Sequence, residues 1–290
     1  MEAFSFSGLG TGWSVMIDGD VVRPEVKNDI LNYTETFEKR FSRFLPQSEV
    51  NAFRESEAGE YTLSSDFLLL LKTADRLRML SNSRYDPAVA TLLEDAGYGT
   101  KKGFTPLKRK EGSGIPHWSL VEKNLSIDGP IAFDLGGIGK GYCIDGVASI
   151  LRHAGYEYFL VEGGGDMVAT TKADGSPFRI AVEYPGKPDT AASIVHLGNQ
   201  GIAVSDVFRR RFGKWHHLID VREKKSVDDI IGCTAVASSA FSADCMTSGL
   251  FFAPVENYEL LVKTFDASYI VFHKDGTASI SENWTGEVLG

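Results

Sequence analysis

The run DLGGIGKGYCID, residues 134–145, sets four glycines and one lysine directly ahead of an apolar stripe at helical spacing, Ile144, Val147, Ala148 and Leu151. HWSLVEKNLSIDGPIAFDLGG, which leads into and includes the first glycines, reads as strand, turn, strand. Extended chain, a glycine turn and a helix therefore follow one another here. Glycine leaves main-chain N–H groups uncovered, and a helix start adds free amides and a partial positive charge. Lys140 contributes a mobile cation, and Asp134 is placed to brace the turn by accepting its amide hydrogens. The set points to a phosphate-bearing ligand. Close packing of the turn against a neighbour would also explain the glycines, and the run alone leaves both readings open.

Two familiar glycine loops are excluded. A Walker A loop needs glycine where Asp134 stands and Ser or Thr where Gly141 stands. The dinucleotide fingerprint needs G-x-G-x-x-G, whereas Gly137, Gly139 and Gly141 give G-x-G-x-G.

Outward from this run, the chain alternates helices and strands irregularly. FSFSGLGTGWSVMIDG reads as a hairpin around a glycine turn. Pro24 opens a helix with Val26, Ile30, Tyr33, Phe37, Phe41 and Phe44 on one face, and a short helical turn follows Ser48. A second helix spans 64–81, with Phe67, Leu70, Leu71, Ala74 and Leu77 inward. KKGFTPLKRKEGSG has no periodicity and reads as an exposed connection. YEYFLVEGGGDMVATT, FRIAVEYP and SIVHLGNQGIAVSD are strand-like, and FRRRFGKWHHLIDV reads as a hairpin. TAVASSAFSADCMTSGLFF is a strand entering a helix, and DASYIVFHKDGTASISENW is a last hairpin. With no repeat and no clean linker, the expectation is one α+β domain over 1–290, with mixed or antiparallel sheets and packed helices.

Three further groups of residues carry chemistry. Asp244 and Ser248 are one helical turn apart and project from one face. A carboxylate and a hydroxyl at that spacing suit Mg²⁺, which keeps water and phosphate oxygens in its shell. Alone, they would read as a cap and a small packing residue. HHLID, 216–220, offers a histidine beside an aspartate as a general base near neutral pH, although such a histidine is more often structural. RYDP, 84–87, reads as a turn at a helix end.

Composition bounds the rest. The 290 residues are 43% hydrophobic and 24% charged, enough chain for a large core. A net charge of −9 argues against non-specific nucleic-acid binding and against an anionic membrane face. The cysteines, Cys143, Cys233 and Cys245, are odd in number, lack zinc spacing and read as buried inert thiols. No signal peptide or membrane span is visible, so the expected location is cytoplasmic; a periplasmic chain trimmed of its leader would read the same.

In this order, the pieces resemble the FAD:protein FMN transferase family (ApbE-like flavin transferases) along nearly the whole chain. DLGGIGKGYCID matches the family's most specific signature, D-L-G-G/A-I-A/G-K-G-Y-x-x-D. GLGTGWSV, FSRFLPQSEVNAF, YDPAVATLLEDAGYG, VEGGGDM, HLID and SADCMTSGLFF resemble its other segments. The resemblance implies a FAD cleft between two subdomains. It puts Leu9, Arg84, Tyr85, Asp86 and Val204 on or near that pocket, with Asp134, Gly136 and Lys140 at the diphosphate. Asp244 and Ser248 fall on the Mg²⁺-binding Asp and Thr, the Gly137 carbonyl completes the metal site, and His217 falls on the histidine proposed as general base. The implied reaction passes FMN from FAD to a Thr or Ser hydroxyl of an acceptor flavoprotein and releases AMP. Hydrolysis of FAD to FMN and AMP, and flavin binding without chemistry, are the alternatives. The chain departs from the pattern in three places. Ser248 replaces Thr, Leu9 replaces Met, and VREKKSV replaces the Pro and Gly after H-I-I-D, a loop where an acceptor would dock.

Overall fold

The computed structural model describes residues 3–98, 115–213 and 215–289. The basic stretch KKGFTPLKRKEGSG and Gly99 of the GYG turn lie outside the described residues.

Local sequence sets the helices. Pro24 occupies the first turn of α1 (Pro24–Phe41), where its missing N–H is not needed, and Val26, Ile30, Phe37 and Phe41 are buried. Phe44 falls beyond the helix, because Ser42 turns extended. In α2 (Ser65–Leu80) the Ser64 hydroxyl caps by accepting from the Phe67 amide, and the five inward residues read from the sequence are the buried ones. Then follow α3 (Ala90–Asp95), α4 (Gly139–His153), α5 (Ala240–Phe252) and α6 (Tyr258–Phe265). The sequence reading passed over α6, which buries Tyr258, Leu261 and Phe265 on one face.

An eight-stranded sheet forms the centre. Its spatial order follows the chain: Ala3–Gly8, Thr11–Ile17, Phe159–Gly163, Asp166–Ala169, Gln200–Asp206, Ile230–Ala237, Ala267–His273 and Ala278–Ile280. Every pairing in it is antiparallel. In such a meander, alternate connections emerge at the same end. The Leu9-Gly10 turn, the Gly164-Gly165 turn and the 207–229 insertion therefore share one end. A Cβ built on Gly165 would lie 3.1 Å from Arg209 Nη1, in keeping with that closeness. The first hairpin closes through Leu9 and Gly10, both at positive φ, as a two-residue turn of the primed type requires.

Two three-stranded sheets flank this one. Gly59–Thr62 pairs with Asn124–Ile127, which pairs with Trp118–Val121. Lys187–Leu197 lies between Phe178–Tyr184 and Glu287–Val288. Residues 131–135, ahead of the glycines, join no sheet. The 207–229 insertion holds two short hairpins, Arg211–Phe212 with Trp215–His216, and Ile219–Asp220 with Lys225–Ser226, rather than the single hairpin read from the sequence.

Helix α5 is apolar all round and almost wholly buried, as a helix packed on every side must be. Ser239 and Asp145 cap it: Ser239 Oγ accepts from Ser242 N, while the Asp145 carboxylate, on α4, accepts from Ala240 N at 3.0 Å and Phe241 N at 2.9 Å. Asp145 thus sits beside the start of α5, and Asp244, one turn into α5, accepts from Gly141 near the start of α4. The helices run antiparallel. The three cysteines are buried free thiols, as expected. Among the described residues no helix is long and apolar enough to cross a membrane.

Candidate active site

Polar side chains on a fully buried helix need partners, and those of α5 find them on the glycine loop. Ser248 Oγ donates to the Gly137 carbonyl at 2.6 Å, and the Gly141 amide donates to Asp244 Oδ2 at 2.8 Å. Thr247 Oγ1 donates to the Asp244 carbonyl at 2.9 Å and lies 3.1 Å from Ser205 Oγ. Asp244, Ser248, Gly137 and the turn carrying Lys140 therefore meet at one place.

The loop is less bare than its glycines suggest. Gly136 N donates to Asp134 Oδ1 at 2.6 Å, so Asp134 braces the turn as the sequence indicated, and its other oxygen lies 2.7 Å from Arg43 Nε. The Ile138 and Gly139 amides donate to the Leu135 carbonyl, and that of Gly141 is held by Asp244. Close packing explains part of the glycine content. A Cβ on Gly141 would lie 2.4 Å from the Ala240 carbonyl oxygen, and one on Gly137 would lie 2.7 Å from Ser248 Oγ. Gly141→Ala is expected to push α4 off α5 and cost about 1–3 kcal/mol, as overpacking does. Denaturant unfolding checks it; an unchanged midpoint would show that the two helices separate freely.

Asp166 lies behind Lys140 and was not singled out in the sequence. It begins the strand after the Gly164-Gly165 turn and is 1% exposed. One oxygen ion-pairs with Lys140 Nζ, and the other accepts from Val204 N at 3.0 Å. Lys140 is thus engaged inside the chain. Asp244 is buried close to Asp166. Burial, with that second carboxylate, pushes the Asp244 carboxyl up to about 7, while Lys140, the Gly141 amide and Arg210 pull the other way. A second cation would relieve this charge. The donors present are a carboxylate, a hydroxyl and a main-chain carbonyl, all hard oxygens of the type Mg²⁺ takes. Among the described residues no three His, Cys, Asp or Glu side chains form a metal cluster. A metal here would be completed by water and phosphate, which fits Mg²⁺ and not zinc.

The Arg84–Asp86 segment borders the loop. Tyr85 is buried, its ring packs edge-on to Phe252 at 5.7 Å, and a Cβ on Gly137 would touch it at 3.6 Å. Asp86 caps the next turn: its Oδ1 accepts from Ala88 N at 2.8 Å and from Trp118 Nε1 at 3.0 Å, and burial raises its pKa. Arg84 Nε pairs with Asp220 Oδ2 at 2.6 Å, tying this segment to the second hairpin of the insertion. A cleft of about 460 Å³ opens there, lined by Arg84, Asp220, Arg222, Glu223 and residues 225–229, so the loop that departs from the family pattern forms one of its walls. Leu9 shares the sheet end with these groups, but its amide donates to Glu38 on α1 at 3.1 Å, and it makes no hydrogen bond to the loop.

The two histidines of HHLID differ in place: His216 ends the short strand Trp215–His216 and His217 lies in the bend after it. His216 points into the insertion, its Nε2 2.6 Å from the Val227 carbonyl. His217 follows directly on His216, which pairs with Arg211, so it lies just past the end of the short hairpin. Burial holds its pKa down to about 3, with the Arg210 and His216 charges adding to the effect. Its Nδ1 is buried with no hydrogen-bond partner. The Arg210 charge lowers the pKa of Asp244 as well as that of His217.

This arrangement belongs to a known group of proteins. The model of the ApbE family matches residues 9–271. Among curated relatives, the FAD:protein FMN transferase of Vibrio cholerae serotype O1 is 28% identical, with 78% of this chain and 72% of the relative aligned. That of Haemophilus influenzae is 26% identical over 94% and 88%. Among solved structures, the flavin transferase ApbE from Vibrio cholerae superposes with a TM-score of 0.80 at 24% identity, covering 97% of each chain. The ApbE protein from Thermotoga maritima gives 0.81 at 22% identity, again over 97% of each. The fold is thus the mixed helix and antiparallel-sheet fold of those structures.

Proposed function

The chain belongs to the ApbE family, and from that premise we propose that it is a flavin transferase that passes FMN from FAD to a Thr or Ser hydroxyl of an acceptor flavoprotein and releases AMP. The curated relatives are named FAD:protein FMN transferase. The observation that supports it most is the pair of contacts joining α5 to the glycine loop, Ser248 to Gly137 and Asp244 to Gly141.

In this reading Asp244, Ser248 and the Gly137 carbonyl hold Mg²⁺, which when bound neutralises phosphate charge as the P–O bond breaks. The flavin dinucleotide lies along Leu9, Arg84, Tyr85, Asp86 and Val204. Its diphosphate sits against Asp134-braced Gly136 and Lys140. The buried walls of Tyr85 and Phe252 keep water from the bond. His217 takes the proton of the acceptor hydroxyl. That oxygen attacks the FMN phosphorus, the bond to the AMP phosphate breaks, and FMN stays on the acceptor as a phosphoester. The acceptor approaches along the cleft beside Arg84, whose wall holds Arg222, Glu223 and Lys225 of the segment that departs from the family pattern.

Incubation with FAD, Mg²⁺ and a fragment of a candidate flavoprotein tests the reading. A fluorescent flavin band on the acceptor is the expected result. AMP release without an acceptor would instead make the chain an FAD hydrolase, and bound FAD without turnover would make it a binding protein.

A further inference from the structure

Three carboxylates touch the glycine turn or its lysine: Asp134 and Asp244 through the amides of Gly136 and Gly141, and Asp166 through Lys140. An anionic ligand is repelled there unless their charges are offset. Lys140 pairs with Asp166, and in the reading above Mg²⁺ meets Asp244. Asp134 has a cation of its own. Arg43, just past α1, places Nε 2.7 Å from Asp134 Oδ2, while Asp134 Oδ1 accepts from the Gly136 amide at 2.6 Å. The Arg43 side chain is 3% exposed, too buried to meet a ligand itself, so it acts on the turn through Asp134. Its guanidinium lies over the rings of Phe44 and Tyr98 at 4.2 and 4.8 Å, and Nη2 donates to the Tyr98 carbonyl at 3.3 Å. Glu94 is engaged by Arg54 at 2.5 and 3.2 Å and lies 3.9 Å from Arg43 Nη1, which leaves Asp134 as the close ion pair of Arg43. Both main chains are fixed: Asn51 Nδ2 donates to the Arg43 carbonyl at 2.8 Å, and Asp134 N donates to the Pro87 carbonyl at 2.6 Å.

Resting on the flavin-transferase reading, we propose that Arg43 is a positioning residue for the diphosphate: it neutralises Asp134, so that a turn braced by a carboxylate can still receive an anion. The pair divides the work. Asp134 fixes the turn through the Gly136 amide, and Arg43 offsets the charge that this brace brings with it. Arginine suits the place because its charge does not titrate and its planar group stacks on the two rings. Glutamine at 43 leaves the Asp134 charge without its counterion beside the ligand. Replacing Asp134 by asparagine as well makes the pair neutral again and keeps an acceptor for the Gly136 amide.

The test uses Arg43→Gln, Arg43→Lys and the double variant Arg43→Gln/Asp134→Asn in the full chain, with melting temperatures taken first to confirm folding. Calorimetry at one fixed Mg²⁺ concentration measures ADP affinity, fluorescence quenching measures riboflavin affinity, and AMP release from FAD measures turnover. In Arg43→Gln, ADP affinity is expected to fall about tenfold or more, with that of uncharged riboflavin within about twofold of wild type. Arg43→Lys, which keeps the charge, and the double variant, which restores neutrality, should both bind ADP within about threefold of wild type. Equal ADP affinity in wild type and Arg43→Gln would overturn the proposal, as would an equal fall for riboflavin, which a merely structural support of the pocket gives. A folded double variant that binds ADP about tenfold more weakly than wild type would overturn it too, whether or not Arg43→Gln folds. Should the wild type bind ADP but release no AMP from FAD, the transferase reading fails, while the ADP comparison still decides the role of Arg43.

Discussion

Asp244→Asn is expected to cut AMP release from FAD by on the order of 10³-fold and to remove its dependence on Mg²⁺, since several kcal/mol of barrier rest on the metal. The amide keeps an acceptor for the Gly141 N–H, which Asp244 now satisfies at 2.8 Å. Asp244→Ala also removes that acceptor and leaves a buried donor unmet, at about 1–3 kcal/mol of stability. The two variants should thus lose activity alike and differ in stability. The pH dependence has a definite sign. The carboxyl titrates near 7 in the ligand-free protein and near its ordinary value, lower, when unfolded. The folded state therefore binds more protons between those values, and stability from this group is present at low pH and lost as pH rises through 7. The asparagine variant should escape that loss and melt higher than wild type at pH 8, with the gap closing toward pH 4. Mg²⁺ requires the carboxylate, so its affinity should rise about tenfold per unit up to pH 7 and then level, with proton release visible by calorimetry in buffers of different ionisation enthalpy. Unchanged AMP release in both variants would remove Asp244 from the metal site.

Much of this site is legible in the sequence because its parts are local. The i, i+4 spacing of Asp244 and Ser248 already puts them on one helix face, and Asp134 reaches an amide only two residues away. What stays hidden depends on topology. Gly141 is glycine because the Ala240 carbonyl comes against it, and no local pattern announces that approach. Asp166 reads only as the end of a glycine-rich turn, and its pairing with Lys140 exists because the meander returns that turn to the end of the sheet where α4 begins. Arg209, Arg210 and Arg211 look alike as a basic run. Only the fold separates Arg209, tied to Asp206, from Arg211, which pairs with His216 in the short hairpin. The clue available in advance was α5 itself. A stretch apolar on every face that still carries Asp, Thr and Ser must bring those groups to partners elsewhere.

His217→Ala is expected to leave FAD affinity within a few-fold of wild type and to slow transfer to an acceptor by roughly two to four orders of magnitude, the range of a general base. A pKa of about 3 makes the imidazole neutral, and so able to accept a proton, but weakly basic. Burial is the largest cause, and the Arg210 charge is the next largest. The neighbouring His216 cannot substitute, because its Nε2 is 2.6 Å from the Val227 carbonyl and its position serves the second hairpin. On the stability side, the unfolded chain binds a proton at His217 more readily than the folded one between pH 3 and about 6.5, so this group's contribution is intact above that range and lost as pH falls through it. His217→Ala should flatten that part of the acid limb while leaving the neutral-pH melting temperature little changed. A variant that transfers FMN at the wild-type rate would take His217 out of the reaction and leave the proton to water or to the substrate phosphate.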